Sequence, residues 1–563
     1  MSYGYPGDAI EVTGAGYPPY DCVDEMTLGG ISVKPSGCVW VGGGGTFTET
    51  ISVPSIGQGS KTLYVRVGSR SATRSVFVFN SPTPTPAPTA TPTPTPTSAL
   101  VTPAAGCPTI SDPAGLTDDN TISGPTGEYR VCTLPARFTA SSTLPYVEGL
   151  LYRINGRVDV GTDGGAADTG ADTDVELTIE PGVILFSSGS GWLNVNRGNT
   201  IDANGTADRP IVFTSRDNVL GLNNANSSGQ WGGVVLSGRA PVTDCIAPGA
   251  TPGTTACERQ VEGAAQPALF GGATVDDSSG SMSYVQIRYS GFVLSGDSEL
   301  QALTTGGTGT GTQLSNIMSY NSSDDGVEFF GGQFNLRNLI VVGAEDDSLD
   351  TDTGVKVDMQ NVIAIQRPGV GDTIIEADSS NGLEEDTPRQ NTRISNATFI
   401  ANSGTGDQAI RIRGFADYTI VNSILVDNEG STPCLRIDNA ETIQTTGDDE
   451  LGVPRFNSFV LDCATDFRNG SGVTADQTQG IFNAGSNNDA DFTNTLTMGF
   501  VNGSNEDGVA VFDPTGISSF FQLPTSIGAV YAGNDSWIQG WTCNSATVTF
   551  DAAVSDCTSL PVY

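Results

Sequence analysis

The sequence predicts an all-β protein whose main part is a β-solenoid. The first observation is a sequence repeat with a period of 22 residues. Its first copy runs from Asn316-Ile317-Met318 to Asp324-Asp325-Gly326-Val327-Glu328. Its second copy runs from Asn338-Leu339-Ile340 to Asp346-Asp347-Ser348-Leu349-Asp350. A fixed period in the low twenties, built of short β runs and Gly/Asn turns, is typical of stacked coils. The second is 71 glycines among 563 residues, and the third is that no long stretch spaces its apolar residues as a helix does.

Composition excludes several functional classes. The chain has 63 acidic and 25 basic residues, a net charge of −38 and no histidine. It should repel nucleic acid and anionic membranes, and it suits cations or a salty exterior. A merely solubilising surface remains the alternative. No run of about 18 apolar residues is present, so no membrane span is expected.

The ten cysteines fall into five neighbouring pairs without any CxxC motif. An even count, local spacing and the lack of histidine favour disulfides over zinc. Disulfides in turn place the protein in an extracellular or cell-surface compartment. The pairs expected from proximity are Cys22/Cys38, Cys107/Cys132, Cys245/Cys257, Cys434/Cys463 and Cys543/Cys557.

Residues 1–80 predict a small β-sandwich. Apolar and polar residues alternate over residues 45–54, 61–67 and 74–79, and residues 9–14 read as a strand entering a glycine turn. The segments GDAIEVTGAGY, GTFTETISVP and SVFVF resemble immunoglobulin-like domains of the IPT/TIG type. That resemblance implies a spacer or a binding module.

Residues 81–106 predict a Pro/Thr linker. Alternating proline favours an extended polyproline II rod, which acts as a semi-rigid spacer. The threonine hydroxyls are candidate O-glycosylation sites, which would make the chain a glycoprotein. These threonines are Thr83, Thr85, Thr89, Thr91, Thr93, Thr95 and Thr97.

Residues 107–563 predict one long parallel β-helix with inserted loops. Short strands separated by tight turns recur over residues 175–184, 231–238 and 324–332, and further coils begin at Asn361, Asn396 and Asn422. Roughly residues 145–440 resemble a family of secreted right-handed parallel β-helix proteins of bacteria, many of them surface proteins or lipoproteins. The resemblance implies the fold and says little about activity. Cys107/Cys132 and Cys543/Cys557 are expected to staple the two capped ends.

The repeated acids predict a candidate cation site. Neighbouring strands of a parallel sheet lie about 4.8 Å apart, and carboxylates stacked at that spacing repel each other unless they are protonated, hydrated or bridged. Ca²⁺ binds six to eight oxygens and would relieve the repulsion. A solvated acidic turn is the alternative. The candidate ligands are Asp324, Asp325, Glu328, Asp346, Asp347, Asp350 and Asp352.

Catalysis on a polysaccharide is a weaker reading of the same residues. Polygalacturonase-type β-helices resemble this chain in their aspartates and in a basic motif like Arg411-Ile412-Arg413-Gly414, but their Gly-His-Gly is absent here. A lyase would need Lys356, Arg367, Arg411 or Arg413 as its base. Tyr284, Tyr289, Phe292, Phe329 and Phe330 could instead form a sugar platform, although core packing suits them better. No catalytic residue is assigned.

The favoured function is therefore structural. We expect an extracellular, non-catalytic adhesion protein that self-associates into a surface layer or filament and binds a polysaccharide or another surface ligand. The alternatives are a polysaccharide hydrolase or lyase, and a nutrient-binding surface protein.

Overall fold

The computed structural model describes most of the chain, in two compact units. The described residues are 2–4, 9–54, 59–78, 100–170, 172–264, 266–295, 298–379, 382–445, 449 and 452–563. The units are residues 1–99 and 100–563. The predicted glycosylation sites between Thr83 and Thr97 lie outside the described residues, as does the linker up to residue 99.

The N-terminal unit is a small β domain. A five-stranded sheet has the order β1-β7-β6-β3-β4, and β2 pairs with β5 in a second sheet. Buried Val12, Met26, Phe47 and Val65 belong to the core of this unit. The immunoglobulin-like assignment stays a prediction. The strands are β1 (Ser2–Gly4), β2 (Ala9–Gly14), β3 (Glu25–Leu28), β4 (Ile31–Ser32), β5 (Phe47–Ser52), β6 (Gly59–Val67) and β7 (Arg70–Val78).

The second unit holds 30 described strands and two short α-helices. Its first strands are β8 (Thr117–Gly124), β9 (Gly127–Thr133), β10 (Arg137–Phe138), β11 (Ser142–Leu144), β12 (Leu150–Arg153), β13 (Arg157–Val160), β14 (Glu176–Ile179), β15 (Ile184–Ser187), β16 (Trp192–Val195), β17 (Thr200–Asn204), β18 (Ile211–Ser215), β19 (Val234–Ser237), β20 (Arg259–Gln260), β21 (Leu269–Phe270) and β22 (Gly280–Arg288). The others are β23 (Val293–Ser295), β24 (Ser298–Glu299), β25 (Leu303–Gly306), β26 (Gln313–Tyr320), β27 (Val327–Phe330), β28 (Gln333–Val342), β29 (Leu349–Asp352), β30 (Lys356–Ile365), β31 (Ile375–Ala377), β32 (Asn391–Ala401), β33 (Ile410–Ile412), β34 (Asp417–Asp427), β35 (Leu435–Ile437), β36 (Arg455–Asp462) and β37 (Phe467–Arg468). The helices are α1 (Arg216–Val219) and α2 (Ala475–Asn483), with 3₁₀ turns at Ala440–Ile443, Glu506–Gly508, Pro514–Gly516 and Ser536–Ile538.

These strands form a parallel β-helix, which confirms the predicted fold class. An 11-stranded sheet, here called the short-strand sheet, runs β10-β13-β16-β19-β25-β27-β29-β31-β33-β35-β37. The 15-stranded long-strand sheet ends in β22, β26, β28, β30, β32, β34 and β36. β22 pairs with both β17 and β18, so two narrower walls merge at that strand. From there each coil consists of one short strand and one long, bent strand.

The bend in each long strand has a left-handed backbone. Asn316, Asn338 and Asn361 have φ of 51°, 65° and 62° at this position. Asparagine tolerates this region better than most residues. The amide Nδ2 of Asn338 donates to Asn316 Oδ1 (2.9 Å), and that of Asn361 donates to Asn338 Oδ1 (2.8 Å). The sequence period therefore corresponds to a real ladder of side-chain amides.

The C-terminal region differs from the sequence prediction. The sequence assigns residues 107–563 to the β-helix, whereas its last strand ends at Arg468. Helix α2 then packs against β35, β36 and β37, and Phe482 enters the interior core. Residues 486–489 hydrogen-bond along the edge of β36, where Ser458 donates to Ser486 and Leu461 donates to Asp489. Open solenoid ends expose unpaired strand edges, and this segment covers one.

The last 70 residues run back along the outside of the long-strand sheet. This segment, residues 494–563, is called the strap below. It covers two outward apolar columns that include Met318, Ile340 and Ile363, and it does so with Phe500, Trp541 and other apolar side chains. Its end reaches the early coils, where Tyr563 Oη donates to the carbonyl of Pro210 (2.9 Å). The strap therefore packs against the outside of the sheet and does not add further coils to the β-helix.

All ten cysteines are joined in five disulfides. The bonds are Cys22–Cys38, Cys107–Cys132, Cys245–Cys257, Cys434–Cys463 and Cys543–Cys557. Cys107–Cys132 lies at the first coils, as expected. Cys543–Cys557 instead lies within the strap, and Cys434–Cys463 is the disulfide next to the last coils. No helix among the described residues has the length and apolar character needed to cross a membrane.

Residues 100–106 also depart from the linker predicted there. The N–H of Val101 donates to the carbonyl of Thr126 (3.0 Å), and that of Ala104 donates to Gly149 (3.0 Å). Ala104 packs against the interior core. These residues therefore belong to the β-helix unit.

Candidate functional site

One column of outward side chains on the short-strand sheet contains Glu328 and Asp350, two of the seven predicted ligands. In these strands the residues on either side point into the core, as Val327 and Phe329 do around Glu328. The parallel register places the outward residues directly above one another. This column, called the charge ladder below, reads Thr304, Glu328, Asp350, Glu376, Arg411 and Arg436.

A second acidic column lies in the turns that precede these strands. The backbone N–H of Asp347 donates to Asp325 Oδ1 (2.9 Å), and the N–H of Thr373 donates to Asp347 Oδ1 (2.6 Å). Each buried carboxylate thus accepts an amide of the next coil. Gln301 Nε2 donates to Asp324 Oδ2 (3.0 Å) at the start of this column. Aspartate recurs here because its short side chain reaches the neighbouring backbone.

The two columns converge into three groups of carboxylates. Within each group, one oxygen from every member lies within 4.8 Å of the others. The groups are Asp324/Asp325/Asp346, Asp325/Glu328/Asp350 and Asp346/Asp347/Asp372. Two oxygens on one Ca²⁺ are separated by at most about 5 Å, because Ca–O distances are about 2.3–2.6 Å. The grouping therefore has the dimensions that a divalent cation requires.

Burial and mutual repulsion make ionisation of these acids unfavourable. Burial, with Glu299 and Asp346 nearby, raises the pKa of Asp324 to about 7. The pKa values of Asp325, Glu328, Asp347 and Asp350 are raised well above their usual range, by burial first and by neighbouring carboxylates second. Burial also raises the pKa of Asp346. Without a positive charge in the cluster, simultaneous ionisation of all these groups is therefore unfavourable.

The central group has an unsatisfied oxygen. Asp350 Oδ1 is buried and accepts no hydrogen bond from an N–H or hydroxyl group, while the Asp350 carboxyl lies within hydrogen-bonding range of the Glu328 carboxyl. Glu328, its neighbour on the ladder, is only 8 % exposed. A buried carboxylate oxygen without a donor is costly unless something positive lies against it. Its two carboxylate neighbours in this group, Asp325 and Glu328, are themselves buried.

The basic end of the ladder is already neutralised. Arg411 contacts both Glu376 (3.2 Å) and Asp438 (2.8 Å). Arg436 contacts Asp438 (2.9 Å), and Arg413 contacts Glu376 (2.9 Å). Burial lowers the pKa of Arg411, but its bonds to Asp438 and Glu376 outweigh this and raise it. These arginines therefore contact Glu376 and Asp438 rather than Asp350.

Asp352 lies at the edge of the cluster. It pairs in register with Phe330 of the preceding coil, and burial raises its pKa to about 6. Arg259, from the excursion that carries the Cys245–Cys257 disulfide, lies 5.9 Å from the ring of Phe330. The excursion thus forms one wall beside the acids.

The prediction from the sequence did not include Glu376 and Asp372 among the residues of the site. Both residues belong to the next coil, which is longer than the coil before it. Asp325 and the residue that donates to it are 22 residues apart, whereas Asp347 and its donor Thr373 are 26 residues apart. An inserted loop hides the repeat when only the spacing is compared. The signal that could have found Glu376 is the in-out-in pattern Ile375-Glu376-Ala377, which matches Leu349-Asp350-Thr351.

The aromatic residues considered as a sugar platform have a packing role. Tyr289 and Phe329 are fully buried, and Phe330 is 4 % exposed. Tyr284 packs edge-to-face on Trp541 of the strap, with 5.9 Å between ring centroids. Packing in the core or under the strap therefore accounts for these four, and Phe292 is partly exposed.

Comparison with known proteins gives one match. The family described as a pectate-lyase-like beta helix domain matches residues 166–542, about two thirds of the chain. The matched segment contains the charge ladder and all three carboxylate groups. No curated protein and no solved structure matches the chain significantly.

Proposed function

We propose, on the premise that the chain belongs to the pectate-lyase-like β-helix domain family, that it is an extracellular, non-catalytic binding protein whose clustered acids hold a divalent cation. The observation that carries the proposal is a group of three closely spaced carboxylates in which the buried Asp350 Oδ1 accepts no hydrogen bond from an N–H or hydroxyl group. The five disulfides are compatible with an oxidising compartment outside the cytoplasm. The family fits a polysaccharide-active enzyme as well as a structural protein, so the site must carry the argument.

A cation would change the role of this face of the molecule. Bound between Asp325, Glu328 and Asp350, it would convert mutually repelling acids into a cross-link between adjacent coils. Ca²⁺ prefers hard oxygen ligands and completes its shell with water or with oxygens of a ligand. Carboxylate or hydroxyl oxygens of an external surface polymer are such ligands. The expected activity is therefore cation-dependent adhesion.

The decisive experiment measures thermal unfolding of Asp350→Asn and wild type in EDTA and in Ca²⁺. In EDTA the variant should unfold at a higher temperature, because the substitution removes one repelling carboxylate. In Ca²⁺ at 100 times its dissociation constant, wild type should gain about 2.7 kcal/mol that the variant lacks. The order of the two proteins should therefore reverse.

Asp276→Asn is the charge-matched control. Asp276 is exposed and lies outside the three carboxylate groups. It should respond to Ca²⁺ as wild type does. If Asp350→Asn were the more stable protein in both conditions, the cluster would be a solvated acidic turn and the proposal would be wrong.

Hydrolysis of a polysaccharide is the second candidate, and one observation favours it. The pKa of Asp324 is raised to about 7 by burial, which would keep it protonated as a general acid near neutral pH. Asp346, in the same carboxylate group, would be its partner. A lyase is less favoured, because Arg411, Arg413 and Arg367 are all paired with carboxylates.

A depolymerisation assay on acidic polysaccharides separates hydrolysis from adhesion. Wild type should release no new chain ends if the protein only binds. Activity that disappears in Asp324→Asn and Asp346→Asn while the fold is retained would establish the enzyme instead.

A further inference from the structure

The N-terminal unit exposes two large aromatic side chains. Tyr20 is 71 % exposed and Trp40 is 56 % exposed. Among the described residues of this unit, the other large hydrophobic residue with high exposure is Ile31, at 44 %. Small domains usually cover such residues, and clustered exposed aromatics often mark a binding surface.

Both aromatics lie at one short backbone pairing, here called the ribbon: Trp40 belongs to an isolated antiparallel bridge, and Tyr20 belongs to the turn that leads into it. Cys22 pairs with Trp40 in an antiparallel bridge, and the N–H of Tyr20 donates to the carbonyl of Val41 (2.9 Å). Val39 and Val41 are buried, and Trp40 between them is exposed. Because side chains alternate along a strand, Trp40 points to the outer side of the ribbon, away from the core.

The ribbon is rigid and open at this point. The Cys22–Cys38 disulfide joins its two strands, with 5.3 Å between the Cα atoms. The Tyr20 ring lies over Gly43, where an added Cβ would come within 2.4 Å of Tyr20 Oη. Beside it, Gly44 has no neighbouring atom within 4 Å of an added Cβ. The glycine run therefore leaves a flat surface next to the rings.

Charge distinguishes this unit from the rest of the chain. Five of the 25 basic residues and six of the 63 acidic residues lie within residues 1–80, so almost the whole net charge of −38 belongs to the remainder. An anionic polymer would be repelled by the β-helix unit without cations. It can approach the nearly neutral N-terminal unit, as can a neutral polymer.

We infer that Tyr20 and Trp40 form a platform that stacks on the sugar rings of a polysaccharide. Pyranose rings present an apolar C–H face to an aromatic ring and hydroxyl groups at their edges. Tyrosine and tryptophan match that mixture, because each has an apolar face and a polar tip. Tyr20 Oη supplies a polar group at the edge of its own ring, over Gly43. This site is separate from the ladder acids and does not depend on a cation.

The test is affinity electrophoresis of the full chain in EDTA, which disables the cation site. Gels would contain hydroxyethyl cellulose, xylan, polygalacturonate or alginate. Wild type should be retarded in at least one of them. Trp40→Ala and Tyr20→Ala should each weaken binding about tenfold, the loss expected for about 1.4 kcal/mol of stacking. Trp40→Tyr should retain part of the binding, because an aromatic ring remains.

Ile31→Ala is the matched control, since it removes an exposed apolar side chain from the same unit without touching the ribbon. Its retardation should equal that of wild type. The inference would be overturned by no retardation in any gel, or by equal losses in Ile31→Ala and Trp40→Ala. Trp40-dependent binding to phosphatidylcholine vesicles, stronger than to any polysaccharide, would assign the platform to a lipid surface and overturn it too. Asp350→Asn should bind these gels normally, so failure here is distinguishable from failure of the cation site.

Discussion

Ionisation of Asp324 and its neighbours lowers the stability of the folded protein. A carboxyl with a raised pKa in the folded protein holds its proton more tightly than in the unfolded chain. Its contribution to stability is therefore present at low pH and is lost as the pH rises through the folded pKa. For Asp324 this window extends from about 4, its unfolded value, to about 7. Asp352, with a pKa of about 6, acts in the same direction.

The residue-scale prediction follows from that sign. In EDTA, the unfolding temperature should fall as the pH is raised from 5 to 8, because the ladder acids must then ionise against each other. In saturating Ca²⁺ the trend should reverse, since cation binding requires deprotonated carboxylates and strengthens with pH. Differential scanning calorimetry at several pH values would measure both trends.

Asp324→Asn provides the internal check, because it should flatten the slope in EDTA without changing the fold. An unfolding temperature that rises between pH 5 and 8 in EDTA would contradict the raised pKa values. The carboxylates with lowered pKa, such as Asp438, lose their contribution at more acidic pH and do not disturb this window.

Residues repeated at a constant spacing could be predicted, and those displaced by insertions could not. Asn316 and Asn338 share a period with the acids that follow them, so both the amide ladder and the Asp325/Asp347 stack follow from the sequence. Glu376 and Arg411 belong to the charge ladder, but they come after inserted loops. The unpaired state of Asp350 Oδ1 depends on tertiary packing, which no sequence pattern records.

At the scale of elements, the strap is held by packing and by a few buried polar contacts. Trp541 is fully buried and lies edge-to-face against Tyr284, and its Nε1 donates to the carbonyl of Trp537 (2.6 Å). Arg288 is also buried, and it donates to the carbonyls of Cys557 and Ser559, both at 2.9 Å. These contacts join the end of the chain to strands more than 250 residues earlier in sequence.

We expect Trp541→Ala to release the strap without unfolding the coils. Removal of a buried tryptophan costs about 3–5 kcal/mol, and here the loss falls on an element with no strand pairing to the sheet. Hydrogen exchange should show faster exchange over residues 530–563 and unchanged protection in the interior strands β28 and β30. Limited proteolysis should cut the variant within the strap first.

Leu523→Ala is the matched control within the same element. Leu523 is 59 % exposed, so its removal should leave exchange unchanged. A uniform loss of protection across the strap and the coils in Trp541→Ala would show that the strap is an inseparable part of the β-helix. The sequence could not predict this element, because its apolar residues follow neither the strand nor the helix period.

At the scale of the whole molecule, the fold class and the disulfide at the first coils were predictable, and the C-terminal region was not. Stacked coils repeat the same local solution, so a few repeats determine the architecture. The C-terminal segments, in contrast, each occur only once. Helix α2 and residues 486–489 cover β36, and the strap packs along the outside of the long-strand sheet. Because these segments are not repeated in the sequence, their packing role can be recognised only once the positions of the strand edges are known.

Self-association into a layer or filament stays a prediction, and the charge of the molecule specifies its conditions. Copies carrying −38 each repel strongly, and the repulsion is felt over roughly 8 Å at 0.15 M ionic strength. A divalent cation that binds the ladder acids both lowers the charge and leaves coordination positions for oxygens of another copy. Association should therefore require the divalent cation specifically and not merely salt.

Sedimentation velocity of the full chain at rising concentration would measure this. In EDTA the protein should sediment as a monomer. In Ca²⁺ larger species should form, and NaCl at the same ionic strength should not replace Ca²⁺, because screening alone supplies no bridging ligand. Asp350→Asn should shift the onset to higher Ca²⁺ concentration. A wild-type protein that stays monomeric at high concentration with and without Ca²⁺ would show that the ladder serves a single molecule, and adhesion would then act through isolated copies.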